Sequence, residues 1–90
     1  MNEKEIEKII ELKRKAQAIN ELQMLLENEI TKFMQTQTDN FEKYTSVEQN
    51  LYCDIDRLDI ELYNNIRSYS KLFIDMNLCI NAIKPTKREI

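Results

Sequence analysis

The stretch from Leu51 to Ile83, LYCDIDRLDIELYNNIRSYSKLFIDMNLCINAI, decides the fold. Its apolar residues recur at alternating intervals of three and four, the spacing that gathers side chains on one face of an α-helix. In heptad notation, the d row is Leu51, Leu58, Asn65, Leu72 and Cys79. The a row is Ile55, Leu62, Tyr69, Met76 and Ile83. The stretch therefore predicts one long amphipathic helix.

The e row of this helix is apolar as well, with Tyr52, Ile66, Phe73 and Ile80. A stripe that spans the a, d and e rows is wider than one neighbouring helix covers, so this helix is expected to need more than one neighbour. The helix is predicted to run from about residue 46 to residue 84. Pro85 disfavours helical geometry at the residue before it, which predicts an end there and a short charged tail over residues 85–90.

A second amphipathic helix is predicted nearer the N-terminus, over about residues 3–35. Asn2 and Glu5 have the spacing of a capping box, in which each side chain accepts a hydrogen bond from the other residue's backbone amide. The a row of this helix is Ile9, Ala16, Gln23 and Ile30. Its d row is Leu12, Ile19, Leu26 and Phe33. Two facing a and d rows predict a coiled-coil seam between the helices.

The helical periodicity stops in the polar stretch QTQTDN, residues 35–40, and a turn is predicted over residues 36–45. Three pairs fit a capping box for the start of the second helix: Asp39 with Glu42, Thr45 with Glu48, and Ser46 with Gln49. The connection contains no Gly or Pro to force a reversal, so one continuous helical rod is the alternative.

Two helices of similar length joined by a short connection normally fold back on each other. The fold class is therefore predicted to be all-α, an antiparallel two-helix coiled-coil hairpin that forms a single domain over residues 1–84. With the turn centred near residue 41, facing positions have numbers that add to about 82. This register sets Leu26 beside Ile55 and Ile9 near Phe73.

A two-helix hairpin cannot enclose a core, because each helix covers only one side of the other. We expect additional helices to complete a four-helix bundle, supplied by a second copy in a homodimer or by a protein partner. The orientation of the copies is left open. The interface residues predicted are Leu22, Met24, Leu25 and Ile60 in a patch mid-way along the rod, Tyr63 as an outer anchor, and Ile6, Ile10, Ile74 and Leu78 at the open end.

Polar amides interrupt the predicted apolar rows at Gln23 and Asn65. Such residues can fix the register and the number of helices in a coiled coil. The simpler interpretation, which we favour, is that the apolar stripe moves onto the neighbouring Leu22 and Ile66 at those points.

The composition argues against an enzyme and against a metal or cofactor site. The chain has no His and no Gly, so it lacks the commonest general base and metal ligand and the residue that shapes phosphate-binding loops. Its densest acidic group is Asp54, Asp56, Asp59 and Glu61, with Arg57 among them, which is typical of a solvated helix face. We therefore expect a non-catalytic protein with no small-molecule substrate.

The charge and the thiols bear on partners and location. A net charge of −3 repels phosphate backbones and anionic lipid, so neither nucleic acid nor membrane is expected as a partner. Cys53 and Cys79 have no metal-ligand spacing and indicate reduced thiols in the cytoplasm. The predicted function is a coiled-coil subunit or adaptor of a larger assembly. The alternative is a small virus- or mobile-element-encoded effector, inhibitor or chaperone that masks one target protein.

Overall fold

The computed structural model describes the backbone of residues 1–88 and the side chains of residues 1–83. Helix α1 spans Glu3–Gln37, a 3₁₀ turn spans Thr38–Lys43, and helix α2 spans Ser46–Arg88. The two helices fold back and pack against each other. The prediction of an all-helical hairpin is confirmed, and the alternative of one continuous rod is wrong.

Both helices begin with a capping box. At α1, the Asn2 side chain accepts from the Glu5 amide at 2.8 Å, and the Glu5 side chain accepts from the Asn2 amide at 3.1 Å, as predicted. At α2, Thr45 and Glu48 make the same reciprocal pair, at 3.2 and 2.9 Å. Of the three start points that the sequence allowed, Thr45 is therefore the one used. These hydrogen bonds lower the pKa of the Glu48 carboxyl.

The reversal between the helices needs no glycine. No residue in the described part of the chain has a positive φ. The chain instead tightens from α-helix into the 3₁₀ turn and then extends at Tyr44, with φ −78° and ψ 149°. All of these conformations are open to any L-residue. The turn is thus compatible with a glycine-free sequence.

Aromatic rings hold this turn in place. Phe41 lies 5.3 Å from the Tyr52 ring and 6.4 Å from the Tyr44 ring, between centroids. The Tyr44 hydroxyl donates to the Gln37 side chain at 2.8 Å. The Tyr52 hydroxyl donates to the Met34 carbonyl at 3.4 Å, which ties α2 to the last turns of α1.

The register differs from the prediction. The residue numbers of the facing pair Met34 and Tyr52 add to 86. Those of Lys13 and Asn77, whose side chains form a hydrogen bond, add to 90. The predicted value was about 82. The connection itself, residues 38–45, is centred near residue 41 as predicted, so the difference lies in how far α2 is offset along α1 and not in the length of the turn.

Helix α2 continues past its predicted end. The sequence placed that end at residue 84, whereas the helix reaches Arg88 and so includes Pro85. Proline has a fixed φ near −65°, which is itself helical, so the backbone at Pro85 can follow the helix with the loss of one N–H donor. The rest of the predicted tail, residues 89 and 90, lies outside the described residues.

The hairpin is a thin rod. It measures 69 × 16 × 14 Å and has a radius of gyration of 20.0 Å, against about 12 Å for a compact domain of this length. Within the described side chains, the buried residues are Ile6, Ile30, Leu62 and Asn20, each of which keeps 5–8% of its surface exposed. Most of the apolar residues are therefore only partly covered by the hairpin itself.

A candidate protein-binding face

The seam between the two helices is formed by the a and e rows. Burial repeats every seven residues along both helices. On α1 the buried or half-buried residues of these rows are Ile6, Ile9, Lys13, Ala16, Asn20, Gln23, Glu27, Ile30 and Met34. On α2 they are Tyr52, Ile55, Asp59, Leu62, Ile66, Tyr69, Phe73, Met76 and Ile80. The predicted a rows are thus confirmed almost throughout, the exception being Ile83, which is marginally exposed.

The d rows, predicted to lie in the seam, are exposed on both helices. The exposed fractions on α1 are 51% for Leu12, 53% for Ile19, 41% for Leu26 and 52% for Phe33. On α2 they are 62% for Leu51, 42% for Leu58 and 55% for Leu72, and Cys79 is exposed too. The prediction of an a and d seam is therefore wrong. The reason is that α2 carries apolar residues in three rows, and packing on one helix buries only two of them.

Both d rows lie on the same side of the hairpin. In an antiparallel pair that packs through the same heptad rows, equivalent flanking rows point to one side. The surface grooves agree: Phe33 and Leu51 line one groove at the turn end. At the open end, Leu72 and Cys79 line a second groove together with Ile9. We call this surface the d face, formed by Leu12, Ile19, Leu26, Phe33, Leu51, Leu58, Leu72 and Cys79.

The middle of the seam, in contrast, is polar. Asn20 is 6% exposed, and its side-chain oxygen has no hydrogen-bond partner among the described residues. The Gln23 side-chain nitrogen and one Asp59 oxygen are buried in the same unpaired state. Burial raises the pKa of the Asp59 carboxyl, and the nearby Glu27 and Asp56 carboxylates raise it further. An unpaired buried polar group costs about 1–3 kcal/mol, so the hairpin holds a costly seam beside an apolar surface that it leaves open.

The interface residues predicted from the sequence were assigned to a mid-rod patch, an outer anchor and the open end of the hairpin, and most of them are exposed in the structure. Seven of the nine are exposed: Leu22, Met24, Leu25, Ile60, Tyr63, Ile74 and Leu78. Leu22, at a g position, borders the d face, whereas Met24 and Tyr63, at b positions, lie on the opposite side of the hairpin.

The remaining two predicted interface residues belong to the hairpin itself. Ile6 is 5% exposed and is therefore buried in the seam, while Ile10 is half-buried. Ile6 is buried because it lies in the e row, and the seam is formed by the a and e rows where the a and d rows were predicted. The signal that sequence reasoning missed was the d row itself, which was assigned to the seam.

The two polar interruptions behave differently. On α2 the stripe does move from Asn65 onto the half-buried Ile66, as favoured. On α1 it does not, because Gln23 stays in the seam and Leu22 is 65% exposed. Asn65 is left exposed in the d row of α2, where it is the polar position between Leu58 and Leu72 of the d face.

Other chemistry in the described part of the chain is sparse. Cys53 and Cys79 are free and exposed. No group of three or more His, Cys, Asp or Glu side chains that could hold a metal ion occurs among the described residues. Over the same residues, neither helix has an apolar stretch sufficient to cross a bilayer. No protein-family model, curated protein or solved structure matches this chain.

Proposed function

We propose that this chain is a non-catalytic protein–protein interaction module, a coiled-coil subunit or adaptor of a larger assembly. Its d face packs against helices of a protein partner and completes a four-helix bundle. The observation that supports this proposal is the exposure of both apolar d rows on one side of the hairpin, while the seam holds polar side chains.

The energy available on the d face is large for so small a chain. Full burial of an aliphatic or aromatic side chain stabilises by about 1.5–3 kcal/mol, so covering one that is half exposed contributes roughly half as much. The seven large apolar residues of the d face together offer about 5–10 kcal/mol, which is comparable to the whole stability of a small domain. This is enough to offset a substantial cost of association.

The total surface supports the same proposal. The chain exposes 7335 Å², whereas a compact monomer of 10.8 kDa exposes about 5,500 Å². A typical specific interface removes about 800 Å² from each partner. The surplus area that the hairpin exposes is therefore larger than the area that one partner buries in a typical interface.

The d face also has the composition of an interface core. Its rows contain no charged residue between Leu12 and Phe33 or between Leu51 and Cys79. The centres of protein interfaces are depleted in charge and enriched in large apolar side chains, while charges lie at the rim. The g rows that flank the d face supply such a rim, with Lys15 and Glu29 on α1.

The proposal is tested by placing charges on the d face. We expect the double variant Ile19→Glu, Leu58→Glu to lose association and to unfold at a lower temperature, because both carboxylates would have to enter the apolar interface. The measurements are solution mass by light scattering and thermal unfolding by circular dichroism, each over a range of protein concentrations. The wild-type chain is expected to show a mass of two or more chains and a midpoint that rises with concentration.

A matched control places the same charges elsewhere. Leu25 and Ile74 are 61% and 62% exposed but lie at c and f positions, away from the d face. Leu25→Glu, Ile74→Glu should leave mass and midpoint close to wild type. The proposal is contradicted if the wild-type chain is a stable monomer that binds no apolar dye and both double variants are equally stable, since the d face would then need no cover.

A further inference from the structure

We propose that the helices covering the d face come from a second copy of this chain, which packs face to face so that α1 lies antiparallel on α1 and α2 antiparallel on α2. The two-fold axis passes at the level of Leu22 and Asn65. This inference rests on the proposed function, because it requires the d face to be a protein-binding surface. It adds the identity of the partner and its orientation.

The first argument is the symmetry of the apolar block on α1. The d row is apolar at Leu12, Ile19, Leu26 and Phe33, and the next d positions outward are the polar Glu5 and Asn40. The centre of this block falls between residues 22 and 23. A two-fold axis there places Leu12 beside Phe33 of the second copy and Ile19 beside Leu26 of the second copy. Every apolar residue of the row then meets another.

The block on α2 has its own centre. Its d row runs from Leu51 to Cys79 and is symmetric about Asn65. An axis at that residue places Leu58 beside Leu72 of the second copy, Leu51 beside Cys79 of the second copy, and the two Asn65 amides beside each other. A single pair of Asn side chains inside a coiled coil is a known means of fixing register and orientation, because any other alignment leaves them unpaired against apolar groups.

The two centres lie at the same height along the rod. Facing positions in the hairpin have numbers that add to between 86 and 90. The centre of the α1 block, near 22.5, and Asn65 add to 87.5, which is within this range. One axis perpendicular to the rod therefore passes through both centres, and a single rigid hairpin can satisfy both helix pairs at once. A partner unrelated in sequence would not require this coincidence.

Charges at the rim of the α1 pair are complementary in the same arrangement. The g row of α1 holds Lys15 and Glu29, with Leu22 mid-way between them. The axis places Lys15 beside Glu29 of the second copy, twice by symmetry, and brings the two Leu22 side chains together. Among the described residues of the isolated hairpin, Lys15 is paired only with Glu11, at 3.1 Å, and both remain largely exposed. Lys15 is therefore free to turn toward the second copy.

The rim of the α2 pair is mixed. Asp54 comes level with Asp75 of the second copy, which is unfavourable. Arg57, which is paired with Asp54, lies within one turn of that position and supplies a cation. Lys71 lies equally close to the level of Glu61 of the second copy. Opposite charges thus compensate for the acidic pair at this rim.

The competing face-to-face arrangement places α1 of one copy on α2 of the other. It pairs Lys15 with Asp75 of the second copy but sets Glu29 between Asp54 and Glu61 of the second copy, so like charges meet. It also places Asn65 of each copy against the apolar d row of α1. The arrangement that we propose avoids both conflicts.

The available area fits a second copy. The broad side of the rod measures 69 × 16 Å, or roughly 1,100 Å², against the ~800 Å² that each partner contributes to an interface of standard size. Two hairpins packed along their full length therefore bury enough surface for a stable dimer.

Disulfide trapping tests the orientation. Leu51 and Cys79 are 28 residues apart on α2, or about 42 Å, so a bond between these positions must join two chains. The variant carries Leu51→Cys and Cys53→Ser. We expect oxidised glutathione to convert most of it to a covalent dimer on a non-reducing gel, with peptide mapping locating the bond between positions 51 and 79. The matched control carries Cys53→Ser alone and should stay uncrosslinked, because its two Cys79 thiols lie at opposite ends of the dimer.

The other outcomes overturn the inference in distinguishable ways. A covalent dimer of the control would show that the two α2 helices run parallel. An assembly of the expected mass in which positions 51 and 79 do not crosslink would reject our orientation while leaving the proposed function intact. A wild-type chain that stays monomeric but binds an apolar dye through the d face would replace the second copy with a different partner. A monomer that binds no dye would reject both proposals.

A charge exchange gives a second, independent test. Lys15 and Glu29 are 14 residues apart, about 21 Å along α1, so they cannot interact within one chain. We expect Lys15→Glu and Glu29→Lys each to weaken dimerisation about twofold to tenfold, and the double exchange to restore most of the loss. Sedimentation equilibrium measures the three dissociation constants. Additive losses in the double variant would overturn the predicted pairing.

Discussion

The seam and the d face differ in both burial and polarity, and in the opposite sense to the one expected of a protein core and its surface. The seam, which the hairpin covers by itself, includes Lys13, Asn20, Glu27 and Asp59. The d face, which the hairpin leaves open, is apolar apart from Asn65. A hairpin selected to be stable as an isolated monomer would bury the leucines and expose the amides, because apolar burial is the main favourable term in folding. This difference is the observation that supports the proposed cover of the d face by further helices.

The largest expected effect within the seam comes from Leu62, which is 7% exposed, when compared with Leu58 one turn away on the d face. We expect Leu62→Ala to lower the free energy of unfolding by about 2–4 kcal/mol at every protein concentration, because it leaves a cavity between the helices. Leu58→Ala should act mainly through association, and its effect should fade on dilution. Urea unfolding at two concentrations measures both. Equal, concentration-independent losses would remove the distinction between seam and d face.

A smaller effect, in the opposite direction, is expected where the seam is polar. Asn20→Leu replaces an amide whose buried oxygen has no partner among the described residues with an apolar side chain of similar size. We expect this variant to gain about 1–2 kcal/mol in unfolding free energy, because the desolvation cost disappears. Thermal unfolding checks the change, with Asn64→Leu as a control because Asn64 is exposed on α2. A loss of stability would mean that the amide makes a favourable contact in the assembled protein.

The smallest effect concerns pH. The pKa of Asp59 is raised, chiefly by burial and then by Glu27 and Asp56, so the folded chain binds this proton more tightly than the unfolded chain. Ionised Asp59 therefore destabilises the fold at neutral pH, and the penalty disappears as the pH falls through the raised pKa toward the ordinary value of 3.8.

Asp59→Asn should accordingly raise the unfolding midpoint at pH 7 by up to about 4 °C, and the difference from wild type should shrink near pH 4. Calorimetry at several pH values provides the comparison. Glu11 and Glu48, whose pKa values are lowered, are present in both proteins and cancel in the difference. A midpoint that is unchanged by the substitution at neutral pH would show that Asp59 is well solvated.

The sequence was sufficient to predict the two helices, the cap of α1 and the reversal, because those depend on local spacing. It was not sufficient to predict which rows form the seam. The apolar stripe of α2 spans three rows, and Leu58 and Ile66 are equally plausible seam residues until the helix is packed. Nor was it sufficient to predict the register of the packed helices, and the restart at Thr45 was one of three equivalent capping boxes. Long-range packing, rather than local preference, made both choices.

The aromatic cluster at the turn has a consequence for the order of folding events. Phe41 and Tyr52 are in contact although they are only eleven positions apart, and closing a loop of about ten residues takes roughly 10–100 ns. The turn end can therefore form first, and the helices then close toward the chain termini in the manner of a zipper. Phe33 and Leu51, which line the groove at the turn end, would then be in place before Leu12 and Cys79, the residues that the proposed dimer sets against them from the second copy.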